Sequence, residues 1–255
     1  MVSNKWVLVL LFVVGCLLPR GYADDDVLRI ATEGSYPPFS YLNSHGELAG
    51  FDVDLAHALC QAMNRSCEIT HRAWDDLIPG LANREYDAII ACMAATAQRE
   101  TMVDFTDHYL RSKSGFIGKA GTSGNLSPQA LRRHTLASQK GTAQMAYLQR
   151  KYGTSRVKEF DTMLQAYQAL ARGEVDLVLS PNLAAYDFLR SPAGVGFDFV
   201  GETLSNEEYP HSPAHIAVRK GDDTLKRQIN NALQDIRING VYDRINRKYF
   251  PFSIY

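Results

Sequence analysis

Strand-like and helix-like segments alternate along this chain in two separate runs, and that alternation constrains the fold more than any other feature of its 255 residues. Val27–Thr32 reads as a buried strand, and residues 50–63 follow as an amphipathic helix opened by Gly50-Phe51-Asp52-Val53-Asp54-Leu55-Ala56. Residues 68–72 form a second strand, 74–81 a short helix and 88–92 a third strand. This βαβαβ order predicts a parallel sheet covered by helices on both faces. Asp52 and Asp54 fall in the first helical turn, where acids favour the helix dipole, and that is the role expected of them.

A second run follows. Residues 131–137 are strand-like, 143–152 helical, 157–160 a strand, 162–172 a helix, 175–179 a strand and 183–189 a short helix. Residues 222–248 read as one helix ending near Asn239-Gly240 and then a shorter one. Each unit is small for a whole domain, so the pair predicts an α/β protein of two lobes. The first lobe ends near Tyr109, and the return crossing falls around residues 203–209.

Residues 1–23 read as an export signal. Lys5 supplies a positive charge, residues 6–18 are nearly unbroken apolar sequence, and Gly21-Tyr22-Ala23 gives a small-x-small cleavage pattern before Asp24. The apolar run is short for a bilayer span and is punctuated by Pro19 and Arg20. Val13-Val14-Gly15-Cys16 is also readable as a lipoprotein box, but Leu17-Leu18 stands where a polar tether is expected. Cleavage after Ala23 and a periplasmic destination are therefore expected. The mature chain keeps 25 lysines and arginines against 28 acids, a net charge near −3. That balance offers no basic field for nucleic acid and no polybasic membrane anchor. Cys60 and Cys67, seven apart, can close a short disulfide loop at a helix end, as export allows. Cys92 is then the odd thiol, a small hydrophobe at a strand end.

The segment from Asp87 to Asp104 carries the most chemistry. A strand empties into small residues, and Arg99 follows seven positions after Cys92. Small side chains let a ligand approach the backbone, and free N–H groups past a strand end favour an anion. Arg99 adds a planar, permanently charged fork suited to a carboxylate.

Four runs stand in order along the chain: Ala31-Thr32-Glu33-Gly34-Ser35-Tyr36-Pro37-Pro38-Phe39, the helix start at Gly50, Trp74-Asp75-Asp76-Leu77-Ile78-Pro79-Gly80-Leu81, and Tyr86-Asp87-Ala88-Ile89-Ile90. With the ending Gly240-Val241-Tyr242-Asp243 through Lys248-Tyr249-Phe250, they resemble the periplasmic amino-acid-binding proteins of ABC importers over essentially the whole mature chain. The branch resembled is that of the lysine/arginine/ornithine, histidine and opine binders, whose short disulfide matches Cys60 and Cys67. The resemblance implies a type II periplasmic-binding-protein fold. Each of its two α/β lobes is a mainly parallel sheet flanked by helices, the lobes share a two-strand hinge, and closure traps the ligand. It places lobe 1 at residues 24–110 and 209–255 and lobe 2 at 111–208, with crossings near 111–114 and 203–208.

Residue by residue, the resemblance makes Arg99 the carboxylate-binding arginine. Tyr36 and Trp74 match the aromatic pair around the ligand side chain, and Glu33 matches the acid facing a cationic tip. Gly141-Thr142-Ala143-Gln144 matches the lobe 2 helix start, whose N–H groups and hydroxyl help hold the carboxylate. Ala91, Cys92, Ala94, Gln139 and Asn182 complete the expected binding set. The implied ligand is an amino acid or derivative with a carboxylate and a cationic or aromatic side chain. A monomeric protein would pass it to an ABC permease, with no cofactor or metal.

Two departures bear on the ligand. Ala94 stands where these binders place a serine for the α-ammonium, and Pro181 stands where they place its aspartate counter-charge. Losing that partner costs a buried ammonium on the order of 3–5 kcal/mol. Three ligand readings follow: a derivative with a substituted or absent α-ammonium, such as an opine or an N-acyl amino acid; a cationic amino acid in a shifted pose; or a sensor or surface protein that has lost transport-type binding. Secreted cyclohexadienyl or arogenate dehydratases are similar to this fold and give an enzymatic alternative. Their chemistry needs a general acid in the cleft, and Ser180-Pro181-Asn182 supplies none. The seven histidines are scattered. His211 and His215 have helical spacing, but Pro210 and Pro213 break any helix there.

Overall fold

The computed structural model describes residues 27–205, 209 and 213–255. The export signal, the lipoprotein box, His211 and part of the return crossing lie outside the described residues. The first lobe begins with β1 (Val27–Thr32), followed by a small antiparallel sheet of β2 (Ser35–Tyr36), β3 (Ser40–Leu42) and β4 (Leu48–Ala49). Then come α1 (Phe51–Ala62), β5 (Ser66–His71), α2 (Leu77–Ala82), β6 (Ala88–Met93), α3 (Ala97–Glu100) and β7 (Val103–Arg111). The second lobe contains β8 (Ser114–Lys119), α4 (Pro128–Leu131), β9 (Thr135–Gln139), α5 (Ala143–Lys151), β10 (Arg156–Phe160), α6 (Met163–Ala171), β11 (Leu177–Pro181), α7 (Asn182–Arg190) and β12 (Phe197–Val200). The chain then returns through β13 (Pro213–Arg219) to α8 (Asp223–Ile238) and α9 (Val241–Tyr249), which pack back on α1.

The first sheet has the order β5-β1-β6-β13-β7 and the second β10-β9-β11-β8-β12. Both are mixed, which corrects the expectation of mainly parallel sheets. The βαβαβ strands pair in parallel, β1 with β5 and β6, and β9 with β10 and β11. The strands that carry the chain between lobes add antiparallel pairs: β13 with β6 and β7, and β8 with β11 and β12. A chain that leaves along β7 and comes back beside it must run the opposite way.

Two local expectations also change. Residues 131–137 do not form one strand. Ser127 accepts from Ala130 N–H and Pro128 sits in the first turn of α4, so a helical turn takes Leu131 and the strand starts at Thr135. Residues 74–81 split into a 3-10 turn at Trp74–Asp76 and then α2. Cys60 and Cys67 form the disulfide that ties the end of α1 to β5, with Cα atoms 5.9 Å apart.

The start of α1 explains why neither of its acids caps it. Phe51 N–H donates to Pro38 O at 3.0 Å and Asp52 N–H to Phe39 O at 2.9 Å, so backbone carbonyls satisfy the helix start. Asp52 turns inward and is fully buried, while Asp54 pairs with Lys248 Nζ at 2.7 Å and accepts from Tyr249 Oη at 2.8 Å, joining α1 to α9. Phe51 anchors the helix, its ring meeting Phe39, Tyr109, Tyr242, Tyr249 and Phe250. Burying a ring of this size contributes roughly 2–3 kcal/mol. Gly50 makes the arrangement possible. Its φ is 127°, and a Cβ there would lie 2.1 Å from Phe39 O. Gly50→Ala is expected to lower the melting temperature by roughly 10 °C, since backbone strain and overpacking together cost about 3–5 kcal/mol; a thermal melt that moves by less than 2 °C would contradict this account of the helix start.

Candidate ligand-binding site

The strands β1, β6, β9 and β11 all run toward the space between the lobes, and residues at or near their carboxyl ends line a cavity there. Such strand ends are where open α/β sheets present ligand-contacting loops. Ten of the eleven expected binding residues meet in it: Glu33, Tyr36, Trp74, Ala91, Cys92, Ala94 and Arg99 from the first lobe, and Gln139, Thr142 and Ala143 from the second. Asn182 is not among the lining residues. It opens α7, its N–H donates to Lys113 O at 2.7 Å, and a Cβ on Gly115 would lie 2.9 Å from its Oδ1. Pro181 reaches the cavity instead and brings neither charge nor N–H donor.

Arg99 is held in place from both sides. Thr96 Oγ1 caps α3 by accepting Arg99 N–H at 3.3 Å. The guanidinium donates from Nη1 to Ala94 O at 2.9 Å and from Nη2 across the cleft to Gly141 O at 3.0 Å. It lies 5.0 Å from the Trp74 ring centroid and is buried. Burial brings its pKa down to about 10, which leaves it charged at neutral pH. Its partners among the described residues are neutral carbonyls and the ring, with no carboxylate.

Glu33 presents the opposite case. Its Oε1 accepts from Gln139 Nε2 across the cleft at 2.7 Å and from Ser35 Oγ at 3.2 Å. Burial raises its pKa to about 7, and those two hydrogen bonds pull weakly the other way. No cationic side chain pairs with it among the described residues. The cavity therefore holds one buried cation and one buried acid, each with neutral partners only.

Behind the wall sits a second buried acid that sequence reasoning assigned to the helix dipole. Tyr109 Oη donates to Asp52 Oδ1 at 3.0 Å and accepts Cys92 N–H at 2.8 Å, and Cys92 Sγ lies 3.6 Å from Asp52 Oδ2. Burial pushes Asp52 up to about 7 and pushes the Cys92 thiol up as well. Cys92 is thus a protonated hydrogen-bond donor rather than a nucleophile. Its φ of 48° turns the β6 end sharply into the cavity.

Lobe 2 meets this wall through one short segment. Gln139 Nε2 also donates to Asp161 O at 3.1 Å, and Lys140 Nζ reaches Asp75 at 2.9 Å. Gly141 is pressed against Trp74 and Asp75, where a Cβ would lie 2.9 Å from Asp75 Oδ1. Thr142 Oγ1 accepts Met145 N–H as the cap of α5, and its own proton goes to Gln139 O at 2.6 Å. Its hydroxyl is therefore engaged within the loop, which narrows the role expected of it to the helix start. Because this segment touches the opposite wall, the free space enclosed is only about 50 Å³, room for a few waters.

Phe39, Leu110, Ser112, Gln144, Met163, Pro213 and Ala214 also line the cavity and were missed by sequence reasoning. Phe39 and Gln144 each close a run quoted above, Ala31 to Phe39 and Gly141 to Gln144, and those runs were the local signals available. The others arrive from strand crossings and from α6, far apart in sequence. Among the described residues no cluster of three or more His, Cys, Asp or Glu could hold a metal ion, and no helix is long and apolar enough to cross a membrane.

Comparison with known proteins agrees with this geometry. Residues 28–252 match the bacterial extracellular solute-binding proteins, family 3. The L-arginine-binding protein of Pseudomonas aeruginosa is 36% identical over 237 residues, covering 92% of each chain. The lysine/arginine/ornithine-binding periplasmic protein of Escherichia coli K12 is 32% identical over 236 residues and 90% of each chain. An ancestral arginine-binding protein solved with arginine superposes with a TM-score of 0.81 at 33% identity, covering 88% of this chain and 98% of that one. With its lobes, its strand-end cavity and this match over nearly its whole described length, the chain belongs to family 3 of the bacterial extracellular solute-binding proteins.

Proposed function

We propose that this protein captures an amino acid or amino-acid derivative in the periplasm and delivers it to an ABC importer. The observation that carries the reading is the pair of buried ionisable groups in one cavity, a guanidinium and a carboxyl, each with neutral partners only. A ligand with a carboxylate at one end and a cation at the other supplies both missing partners, the first to Arg99 and the second to Glu33. Charge-assisted hydrogen bonds of this kind are roughly twice as strong as neutral ones. Tyr36 and Trp74 flank the alkyl portion between them.

Ligand entry requires the lobes to part, because Gln139, Lys140 and Gly141 of lobe 2 bond across the mouth of the cavity to Glu33, Asp75 and Arg99. In this reading lobe 1 comprises residues 24–110 and 209–255, lobe 2 comprises 111–208, and the crossings near 111–114 and 203–208 form the hinge. Closure returns the 139–142 segment to Glu33, Asp75 and Arg99 and presents both lobe surfaces to the permease. The site binds and does not turn over its ligand. Its thiol is held protonated, and the Ser180 hydroxyl is taken up by Tyr167 and Pro181 O.

The wall past Arg99 decides how the α-nitrogen is tolerated. Ala94 and Pro181 give it no charged acceptor, so a free α-ammonium gains little there. In a thermal-shift or calorimetric comparison, Nα-acetyl-L-lysine and Nα-acetyl-L-arginine are expected to bind within about tenfold of the free amino acids. A preference for the free α-ammonium of a thousandfold or more would show that another group replaces the missing counter-charge.

Glu33 gives a pH signature. Its carboxyl, near 7 when free of a cation, must ionise to receive one, so bound cation draws that pKa down. Affinity for a cation-tipped ligand is then expected to fall about tenfold per pH unit below 7, while a neutral-tipped ligand of similar shape stays flat. Glu33→Gln should remove the slope; a slope that survives the substitution would assign the titration elsewhere.

A further inference from the structure

The geometry points to a second binding site, outside the cleft: His108 and His215 form a two-imidazole seat for a borderline transition-metal ion, Cu²⁺ foremost. In the sequence His215 has helical spacing with His211, but the fold gives it a different partner. It lies on β13 opposite His108 on β7, in antiparallel register. Paired residues of an antiparallel ladder project from the same face of the sheet, so the two rings meet although they stand far apart in the chain. Their centroids are 6.3 Å apart and their planes cross at 74°. One ion bonded at about 2.0–2.1 Å to a nitrogen of each ring holds the ring centres roughly 5–6.5 Å apart, so the pair is within chelating reach.

The His215 ring is oriented as a metal ligand would be. Its Nδ1 stands 2.8 Å from Thr106 O, and a carbonyl only accepts, so Nδ1 carries the proton and donates it. In the neutral ring that bond leaves the lone pair on Nε2, the arrangement by which a backbone carbonyl steers a ligating histidine. Phe105 packs against the same ring at 6.0 Å. His108 lies over Tyr255 at 4.8 Å, and neither of its ring nitrogens takes a hydrogen bond among the described residues. Both residues are half-buried, so packing restrains the rings while solvent reaches them.

The surroundings select the metal. Two nitrogens fall short of the three or more protein donors of a resident centre, so water fills the remaining positions and the ion exchanges. Arg111 and Arg237 both act on His108 as positive charges, against Asp107 as a negative one. That field opposes a cation held by charge alone, which excludes Mg²⁺ and Ca²⁺, ions that also require oxygen donors. A metal bonded through imidazole nitrogen withstands it, and among divalent ions Cu²⁺ binds such donors most strongly, ahead of Ni²⁺ and Zn²⁺. The two ligands come from β7 and β13, so a chelated ion ties together strands that meet only in the folded chain.

The test is calorimetric titration of the mature, tag-free protein with CuCl₂, NiCl₂, ZnCl₂ and MgCl₂, with thermal melts confirming that each variant is folded. The wild type is expected to take up a single equivalent of Cu²⁺, to bind Ni²⁺ and Zn²⁺ at least tenfold more weakly, and not to bind Mg²⁺. His108→Gln and His215→Gln should each weaken Cu²⁺ at least tenfold, since one imidazole alone gives no chelate. His215→Gln also loses the bond to Thr106 O; His108→Gln breaks no hydrogen bond among the described residues and keeps the test sound if the other variant unfolds. Electron paramagnetic resonance of the Cu²⁺ form should show two coupled nitrogens in the wild type and fewer in His108→Gln. Three results overturn the site: no saturable Cu²⁺ binding, Cu²⁺ affinity kept within tenfold by folded His108→Gln, or Mg²⁺ bound as tightly as Cu²⁺.

Discussion

A buried ionisable group with only neutral partners is costly to charge, by several kcal/mol after relaxation, and this cleft keeps two of them, a guanidinium that stays charged and a carboxyl that burial pushes up to about 7. The lobe 2 groups facing them are neutral as well: the Gly141 carbonyl on Arg99 and the Gln139 amide on Glu33. These contacts across the cleft satisfy hydrogen bonds without cancelling charge. Full compensation is left to whatever bridges the two. The segment 139–142, the tight approach at Gly141 and the small enclosed volume all serve this one arrangement.

The scaffold holds both groups with little local freedom. Glu33 leaves β1 into a turn tied down by Gly34 N–H on Ser40 Oγ at 3.2 Å, and Arg99 sits in a single capped turn after β6. Between them, the left-handed Cys92 is fixed by Tyr109, which is in turn fixed by Asp52. Asp52 is available for this because α1 is capped by backbone carbonyls at Pro38 and Phe39, so the cap geometry at Gly50 reaches as far as the cavity wall. Burial pushes both acids, Glu33 lining the cavity and Asp52 behind it, up to about 7, so each is poised to ionise beside a cation.

Much of this was legible in the sequence, for local reasons. The βαβαβ runs announce themselves by strand-length apolar segments and helical periodicity, and Arg99, Glu33, Tyr36 and Trp74 stand in runs close to strand ends. What escaped depends on distant parts of the chain. The antiparallel strands arise because the chain must come back beside β7, a fact no local window contains. Asp52 looked like a dipole acid because its burial depends on Tyr109, 57 positions away. Asn182 was expected in the cavity as a neutral acceptor beside Pro181, but α7 begins at that residue and only Pro181 lines the cavity. Ser127-Pro128 did carry a local signal for α4, overlooked beside the apolar residues that follow.

The central claim is that Arg99 waits, charged and unneutralised, for a ligand carboxylate. The most direct test titrates wild type and Arg99→Ala with L-lysine and its decarboxylated counterpart 1,5-diaminopentane, with thermal melts confirming that the variant is folded. The account predicts that the wild type binds L-lysine at least a hundredfold more tightly than the diamine, and that Arg99→Ala erases this difference by losing lysine affinity. Retention of lysine affinity within threefold by a folded Arg99→Ala protein would contradict it and place the carboxylate elsewhere in the cleft.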